Sequence, residues 1–345
     1  MNALDDIDKI RQLDKSNMKN MLDEFSLQCK DAWNINIPLL SKKNFDCICF
    51  CGMGGSAVGG DIIKQVAQNN PTIIYVNRGY TLPSFVNEKS LVIPVSYSGN
   101  TEETISCYND AKNKKASIWS ISCGGILEEL SQKDGISHVK VQKGFPPRCA
   151  LGYLFFPVLN LFTKLGIIKE FEIENTFSVI KKFIDVYRVE NKTANMAKEF
   201  AGKIWNKNPI IYSGPFLFPA AIRWKTQFAE NSKNVSFINE FSELNHNEIM
   251  SWNFPEFLVA NTKFFFLRDE NDHPRIKQRM DLTEKILSDK NLEIINISSY
   301  GKHPVEKILS LIILGDWLSF YLAILNNIDP TEIKEITYLK TELSK

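Results

Sequence analysis

Short runs rich in apolar residues, separated by helix-patterned stretches, constrain this chain more than any other feature. In the first half they are "FDCICFCGM", "TIIYVN", "SLVIPVSYS", "ASIWSIS" and "SHVKVQ". A strand with one wet face alternates apolar and polar residues. Most of these runs do not, so they belong in a parallel sheet covered on both faces. Helices are expected over 57–68, 102–113 and 125–133, with a long one from near Arg148 to about Leu165. Residues 4–32 carry Met18, Met21, Leu22 and Phe25 at helical spacing and are expected to be helical.

The second half repeats the scheme. A polar helical stretch around 171–206 precedes "NPIIYSG", the helix "PAAIRWKTQFAENSK", "VSFINEF", "KFFFLRD", a helix at 274–289, "LEIINIS", and closing helices at 304–326 and 331–343. The expected fold class is therefore α/β, with two doubly wound parallel sheets of similar plan. A chain of 345 residues suits two domains. The break is placed in "IIKEFEIENTF", which gives units 1–168 and 169–345.

Charge and cysteine usage remove several function classes. The 41 basic and 40 acidic residues are interspersed, so no nucleic-acid partner or anionic membrane surface is expected. The first twenty residues are charged and lack the apolar core of a secretory leader. With an odd count of 7 cysteines, this points to a reducing cytoplasm. Cys47, Cys49 and Cys51 alternate on one strand and read as small buried hydrophobes. Residues 308–325 approach membrane-spanning length, but Asp316 sits in their middle between Ser310 and Ser319. A buried core helix is expected there, and no membrane span.

Ligands of parallel α/β sheets collect at the carboxyl ends of the strands. Two such ends are unusual here, "GMGGSAVGGD" and "SYSGNTEET". The second gathers Ser96, Ser98, Asn100 and Thr101 around Gly99, ahead of a helix that opens with Glu102 and Glu103. Glycine lets backbone approach an anion, helix N-termini aim unpaired N–H groups at it, and hydroxyls add neutral donors. With Ser56 at the opening of the other helix, these residues suit one small dianion such as a phosphate monoester. Two other readings stand beside it. "SYSGNTEET" has the pattern of a helix cap, with Thr101 and Thr104 or Asn100 and Glu103 as a capping box. Gly52-x-Gly54-x-x-Ala57 is close to a dinucleotide fingerprint. The next strand, however, ends in Asn77-Arg78 rather than an acid, which leaves an NADP-dependent dehydrogenase as the nucleotide version.

The two turns resemble the phosphate-binding turns of sugar isomerase (SIS) domains. With "GFPPRCALGY", "FAENSK", "ELNHNEIMSW" and "YLK", in order over nearly the whole chain, the set resembles the bifunctional phosphoglucose/phosphomannose isomerases of the phosphoglucose isomerase superfamily. The resemblance implies two SIS domains and a homodimer with active sites at the subunit boundary. Ser56, Ser96, Ser98 and Thr101 match the residues that hold the sugar phosphate, and Gly55 matches a backbone contact. Arg148 matches the arginine beside the reacting carbons and Glu230 the general base. His246 matches a ring-opening histidine supplied by the neighbouring subunit, and Lys340 a ring-opening lysine. Thr331 is the candidate for a threonine linked to accepting mannose as well as glucose.

The chemistry implied is aldose–ketose isomerisation of glucose 6-phosphate and mannose 6-phosphate with fructose 6-phosphate. One carboxylate moves a proton between C1 and C2 through a cis-enediol, and a fixed cation stabilises the enediolate. No redox cofactor and no metal are expected. Glu243-x-x-His246 has the spacing of half a di-iron site, but the other histidines, His138, His273 and His303, occur singly along the chain. A non-catalytic sugar-phosphate sensor would keep the turns and would not need Glu230, His246 and Lys340.

Overall fold

The computed structural model describes residues 3–41 and 44–343. The first half of the chain runs α1 (Ile7–Leu13), α2 (Met18–Asp23), α3 (Phe25–Trp33), β1 (Cys47–Cys51), α4 (Gly54–Val66), β2 (Ile73–Asn77) and β3 (Ser90–Pro94). It continues through α5 (Glu102–Asn113), β4 (Ser117–Ser122), α6 (Gly125–Asp134), β5 (Ser137–Lys140) and α7 (Leu151–Lys164). The second half holds α8 (Ile173–Tyr187), α9 (Met196–Ile204), β6 (Asn208–Ser213), α10 (Phe218–Gln227), β7 (Phe237–Glu240) and α11 (Glu256–Ala260). It ends with β8 (Thr262–Arg268), α12 (Pro274–Ser288), β9 (Ile294–Ser298), α13 (Pro304–Leu325) and α14 (Lys334–Leu343). By packing, one compact unit spans Glu24–Ser178 with His303–Val305. The other takes the chain up to Asp23, Val179–Lys302 and everything from Glu306.

The first unit holds a five-stranded sheet in the order β2-β1-β3-β4-β5, parallel throughout. Every residue of β1 and β3 is buried, which is why both runs are apolar without alternation. The cysteines of β1 lie in that core, and burial pushes the Cys47 thiol up to about 11. The second unit holds a four-stranded parallel sheet in the order β7-β6-β8-β9. Its strand β8 shows what double-sided cover demands. Phe264 and Phe266 pack on Tyr212 on one face, while Phe265 packs edge-on to Trp224 and Phe200 on the other.

Two expected helices differ in detail. Residues 4–32 form three helices rather than one. The chain turns at Asn17, whose φ is 58°, and Asp14 accepts the Met18 and Lys19 N–H groups at 2.7 and 2.8 Å, capping α2. The helix expected from Arg148 opens as a single 3-10 turn, Pro147–Cys149, before α7 begins. The apolar run around Asp316 is α13, and 94% of its most apolar window is buried inside the protein, as a core helix requires.

At the sheet edge His138 of β5 is half-buried, with Nδ1 2.8 Å from Ser120 Oγ and Nε2 3.3 Å from Ser122 Oγ of β4. Burial lowers its pKa, opposed by Glu128 and reinforced by Lys140. A histidine depressed in the folded state contributes stability above its unfolded pKa of about 6.5, and this is lost as pH falls through the lower folded value. The melting temperature is therefore expected to rise between about pH 5 and pH 7, with a shallower slope in His138→Gln. Equal slopes in scanning calorimetry would remove His138 as the cause.

Candidate active site

β1 and β3 are neighbours in the first sheet, with Cys51 paired to Pro94 and the Val95 N–H on the Cys51 carbonyl at 2.8 Å. The chain leaves β1 toward β2 on one side and returns to β3 on the other, so the crevice between their carboxyl ends is the switch point where α/β sheets bind ligands. The glycine-rich turn after β1 and the hydroxyl-rich turn after β3 both open there. α4 starts at Gly54, three residues earlier than the pattern suggested, and this places Gly55 and Ser56 in its first turn.

The 96–101 turn is shaped around Gly99. Its φ is 74°, and a Cβ at this position would stand 1.7 Å from the Gly124 carbonyl oxygen. The turn is held from below by the chain entering α6. The Cys123 N–H meets the Tyr97 carbonyl at 2.8 Å, Leu127 N–H the Gly99 carbonyl at 3.0 Å, and Ile126 N–H the Asn100 side-chain oxygen at 3.0 Å. The helix-cap reading fails here. Thr101 occupies the N-cap position of α5 but makes no side-chain cap bond; its hydroxyl lies 2.8 Å from Ser96 Oγ, and Asn100 is spent on Ile126. Ser96 is buried and also accepts the Gly99 N–H at 3.1 Å, while Ser98 faces solvent. The first N–H groups of α5 have no intrahelical partner, as at any helix start, so donors remain for an anion.

Gly99→Ala is expected to weaken binding of a sugar phosphate by about tenfold or more, because the methyl must displace backbone and the residue must hold a left-handed φ. Calorimetric titration reads this directly. Unchanged affinity in a variant with native circular dichroism would show that the turn does not shape the site.

Arg148 arrives at the same place. A Cβ on Gly55 would lie 3.3 Å from Arg148 Cα and 3.5 Å from the Pro147 carbonyl, so the glycine admits this turn against α4. Arg148 is 2% exposed. Its turn is clamped by Gln28 of α3, which donates to the Cys149 carbonyl at 2.9 Å and accepts the Gly152 N–H at 2.8 Å. Tyr97 fixes the lead-in, donating to the Gln142 carbonyl and accepting the Phe145 N–H. Gln28 left no mark in the sequence beyond a glutamine between the apolar Phe25, Cys29 and Ala32 of its helix. Arg78, which an NADP site would need free, is paired with Asp61 of α4, and Asn77 is buried on the Gly79 and Thr81 carbonyls.

The second unit carries Glu230, His246, Thr331 and Lys340. Glu230 was expected near the end of a helix. In fact α10 passes into a π-turn, Phe228–Ser232, and Glu230 sits half-buried at its centre. Such wide turns re-aim side chains and recur at functional positions. Beneath it α10 is bolted to α13. Arg223 pairs with Asp316 through two bonds of 2.9 and 2.8 Å, Gln227 donates to Asp316 at 3.0 Å, and Asn231 donates to Ser319 at 3.0 Å. Asp316, which argued against a membrane span, is the acceptor that orients the Glu230 helix.

His246 ends a short 3-10 turn and is exposed. Its loop is anchored by Glu248, whose carboxylate accepts from Tyr212 of β6 and Asn239 of β7. Glu243, the acid of the half metal motif, accepts from Asn247 at 2.6 Å. Thr331 is half-buried, with its N–H on the Asp329 carboxylate at 2.8 Å. Lys340 lies on the exposed α14.

The second sheet has no matching phosphate cradle at its equivalent corner. Strand by strand, β7-β6-β8-β9 repeats β2-β1-β3-β4. Where β3 leads to hydroxyls, β8 leads to Asp269, Glu270 and Asp272. Asp269 is occupied by Lys307 at 3.1 Å and by Ser299, and burial pushes the Asp272 carboxyl up.

A family model described as the bacterial phospho-glucose isomerase C-terminal SIS domain matches residues 193–343. The bifunctional phosphoglucose/phosphomannose isomerase of Caldicellulosiruptor bescii is 42% identical over 318 residues, covering 90% of this chain and 93% of the relative. That of Aquifex aeolicus is 38% identical over 304 residues, covering 86% and 90%. Among solved structures, a glucose-6-phosphate isomerase like protein from Thermus thermophilus superposes with a TM-score of 0.62 at 16% identity, covering 99% of this chain and 100% of that one, a likeness of fold. By sequence identity along most of its length, this chain belongs to the family of bifunctional phosphoglucose/phosphomannose isomerases.

Proposed function

We propose that this protein is a metal-independent aldose–ketose isomerase that interconverts glucose 6-phosphate and mannose 6-phosphate with fructose 6-phosphate. The observation that carries the reading is the hydroxyl-lined turn at the first sheet's switch point, in a chain of this family. Its donors are neutral and number enough for one phosphate monoester, and Thr101 is free of capping duty. Gly55, Ser56, Ser96, Ser98 and Thr101 hold the phosphate, which anchors the sugar by the end that does not react.

The hexose ring opens first. His246 gives a proton to the ring oxygen, the C1 hydroxyl loses its proton to water, and the charged Lys340 steadies the oxygen left behind. Glu230 then takes a proton from one carbon and returns it to the other through a cis-enediolate. Arg148 is the fixed cation beside that intermediate, suited to the role because it does not lose its proton. Thr331 leaves room for either configuration at C2. In this reading residues 1–168 form the phosphate-holding domain and 169–345 the catalytic one. The protein works in the cytoplasm as a homodimer, with His246 supplied by the partner copy. Two features support a partner. The chain after His246 exposes Met250, Phe254 and Phe257 by 73% or more, and α14 exposes Tyr338, Leu339 and Leu343 by 57% or more.

A coupled assay on each hexose phosphate, before and after dialysis against a chelator, tests the proposal. Turnover of both substrates, unchanged by the chelator, is expected. Binding without turnover would leave a sugar-phosphate sensor, and a loss restored by zinc would overturn metal independence.

A further inference from the structure

Lys233 closes the π-turn that carries Glu230, with its own backbone in the left-handed region at φ 56°. From there its ammonium donates to the carbonyls of Glu230 at 3.1 Å and Asn231 at 3.2 Å. It also reaches the carbonyl of Asp329 at 2.8 Å, 96 residues along the chain. Asp329 in turn holds the Thr331 N–H. One side chain therefore spans the backbone of the residue proposed as base and the loop of the residue proposed to admit mannose. Asn326 adds a second tie from the end of α13, donating to the Ser232 carbonyl at 2.9 Å and to Asn234 at 2.7 Å.

We propose that Lys233 is a positioning residue that couples Glu230 to the 329–331 loop, so that a single contact sets both turnover and the preference between the two hexose phosphates. The inference rests on the roles given above to Glu230 and Thr331. The carbonyls bonded to its ammonium belong to Glu230, Asn231 and Asp329, so Lys233 acts on the substrate through its neighbours. A cation at a helix C-terminus also meets the negative end of the helix dipole, which favours this placement and holds the last turn in register. Proton transfer between adjacent carbons needs the carboxylate placed within a fraction of an ångström, and discrimination at C2 needs the facing loop placed equally well.

The experiment compares wild type with Lys233→Met, Lys233→Gln and Lys233→Arg, measuring kcat and KM on both hexose phosphates along with the melting temperature. In the Met and Gln variants kcat is expected to fall about tenfold, with KM within about twofold. The mannose-to-glucose ratio of kcat/KM is expected to shift by at least about threefold. Lys233→Arg should keep most of each value. A lower melting temperature with kcat and the substrate ratio unchanged would reduce Lys233 to a helix cap and overturn the proposal. Should Lys233→Met fail to fold, Lys233→Gln decides on the same readouts, since its amide reaches the near carbonyls and cannot also span to Asp329. Wild type without isomerase activity would instead remove the functional reading itself, independently of either variant.

Discussion

Glu230→Gln is expected to lower turnover by about three orders of magnitude while sugar-phosphate affinity stays within about twofold. The amide keeps the shape of the carboxylate, and Lys233 holds Glu230 by its backbone carbonyl, which the substitution leaves in place. It cannot accept a proton from carbon. The phosphate cradle is built by other elements, the turns that follow β1 and β3, so the anchor survives. Steady-state kinetics with titration calorimetry on the same preparation read both quantities. Turnover near wild type would remove Glu230 as the base, and a parallel loss of affinity would make it a binding residue.

Asp316→Ala is expected to destabilise the protein by about 3–5 kcal/mol. Arg223 and Asp316 are 2% and 4% exposed, and burial pushes the Asp316 carboxyl up even beside the guanidinium. Removing the acid strips a buried cation of its carboxylate and also takes the acceptor of Gln227. The pair is expected to be far cheaper to lose together: Arg223→Met with Asp316→Leu should recover most of the loss, because neither charge is then buried alone. Urea denaturation of the single and double variants measures this. A single variant as stable as wild type would show that the network beneath Glu230 is not a structural support.

How far the sequence foretells this molecule depends on the range of the forces involved. The strands were legible because burial on both faces leaves no charged residue in β1 or β3, and α5 was legible to the residue because Glu102 and Glu103 mark its start. The breaks within the N-terminal helical stretch were not legible because periodicity does not register a local break. Asp14 could have betrayed it, as a capping residue four positions before Met18. The π-turn at Glu230 is not a local property at all. Within it Asn231 meets Ser319, a partner from an element far along the chain. Gln28, Glu248 and Lys233 were invisible for the same reason. Each acts through backbone atoms or residues distant in sequence, and the side chain alone gives no hint of which carbonyl it will meet. The hydroxyl turn was legible as a set of donors, but its freedom from helix capping was settled only by the Ser96–Thr101 contact.

The most direct measurement follows fructose 6-phosphate incubated with the purified protein alone, by phosphorus and proton NMR. The expected result is that glucose 6-phosphate and mannose 6-phosphate both appear with no nicotinamide and no added metal, and that neither appears with Glu230→Gln. Fructose 6-phosphate recovered unchanged from the wild-type protein would contradict the proposed reaction.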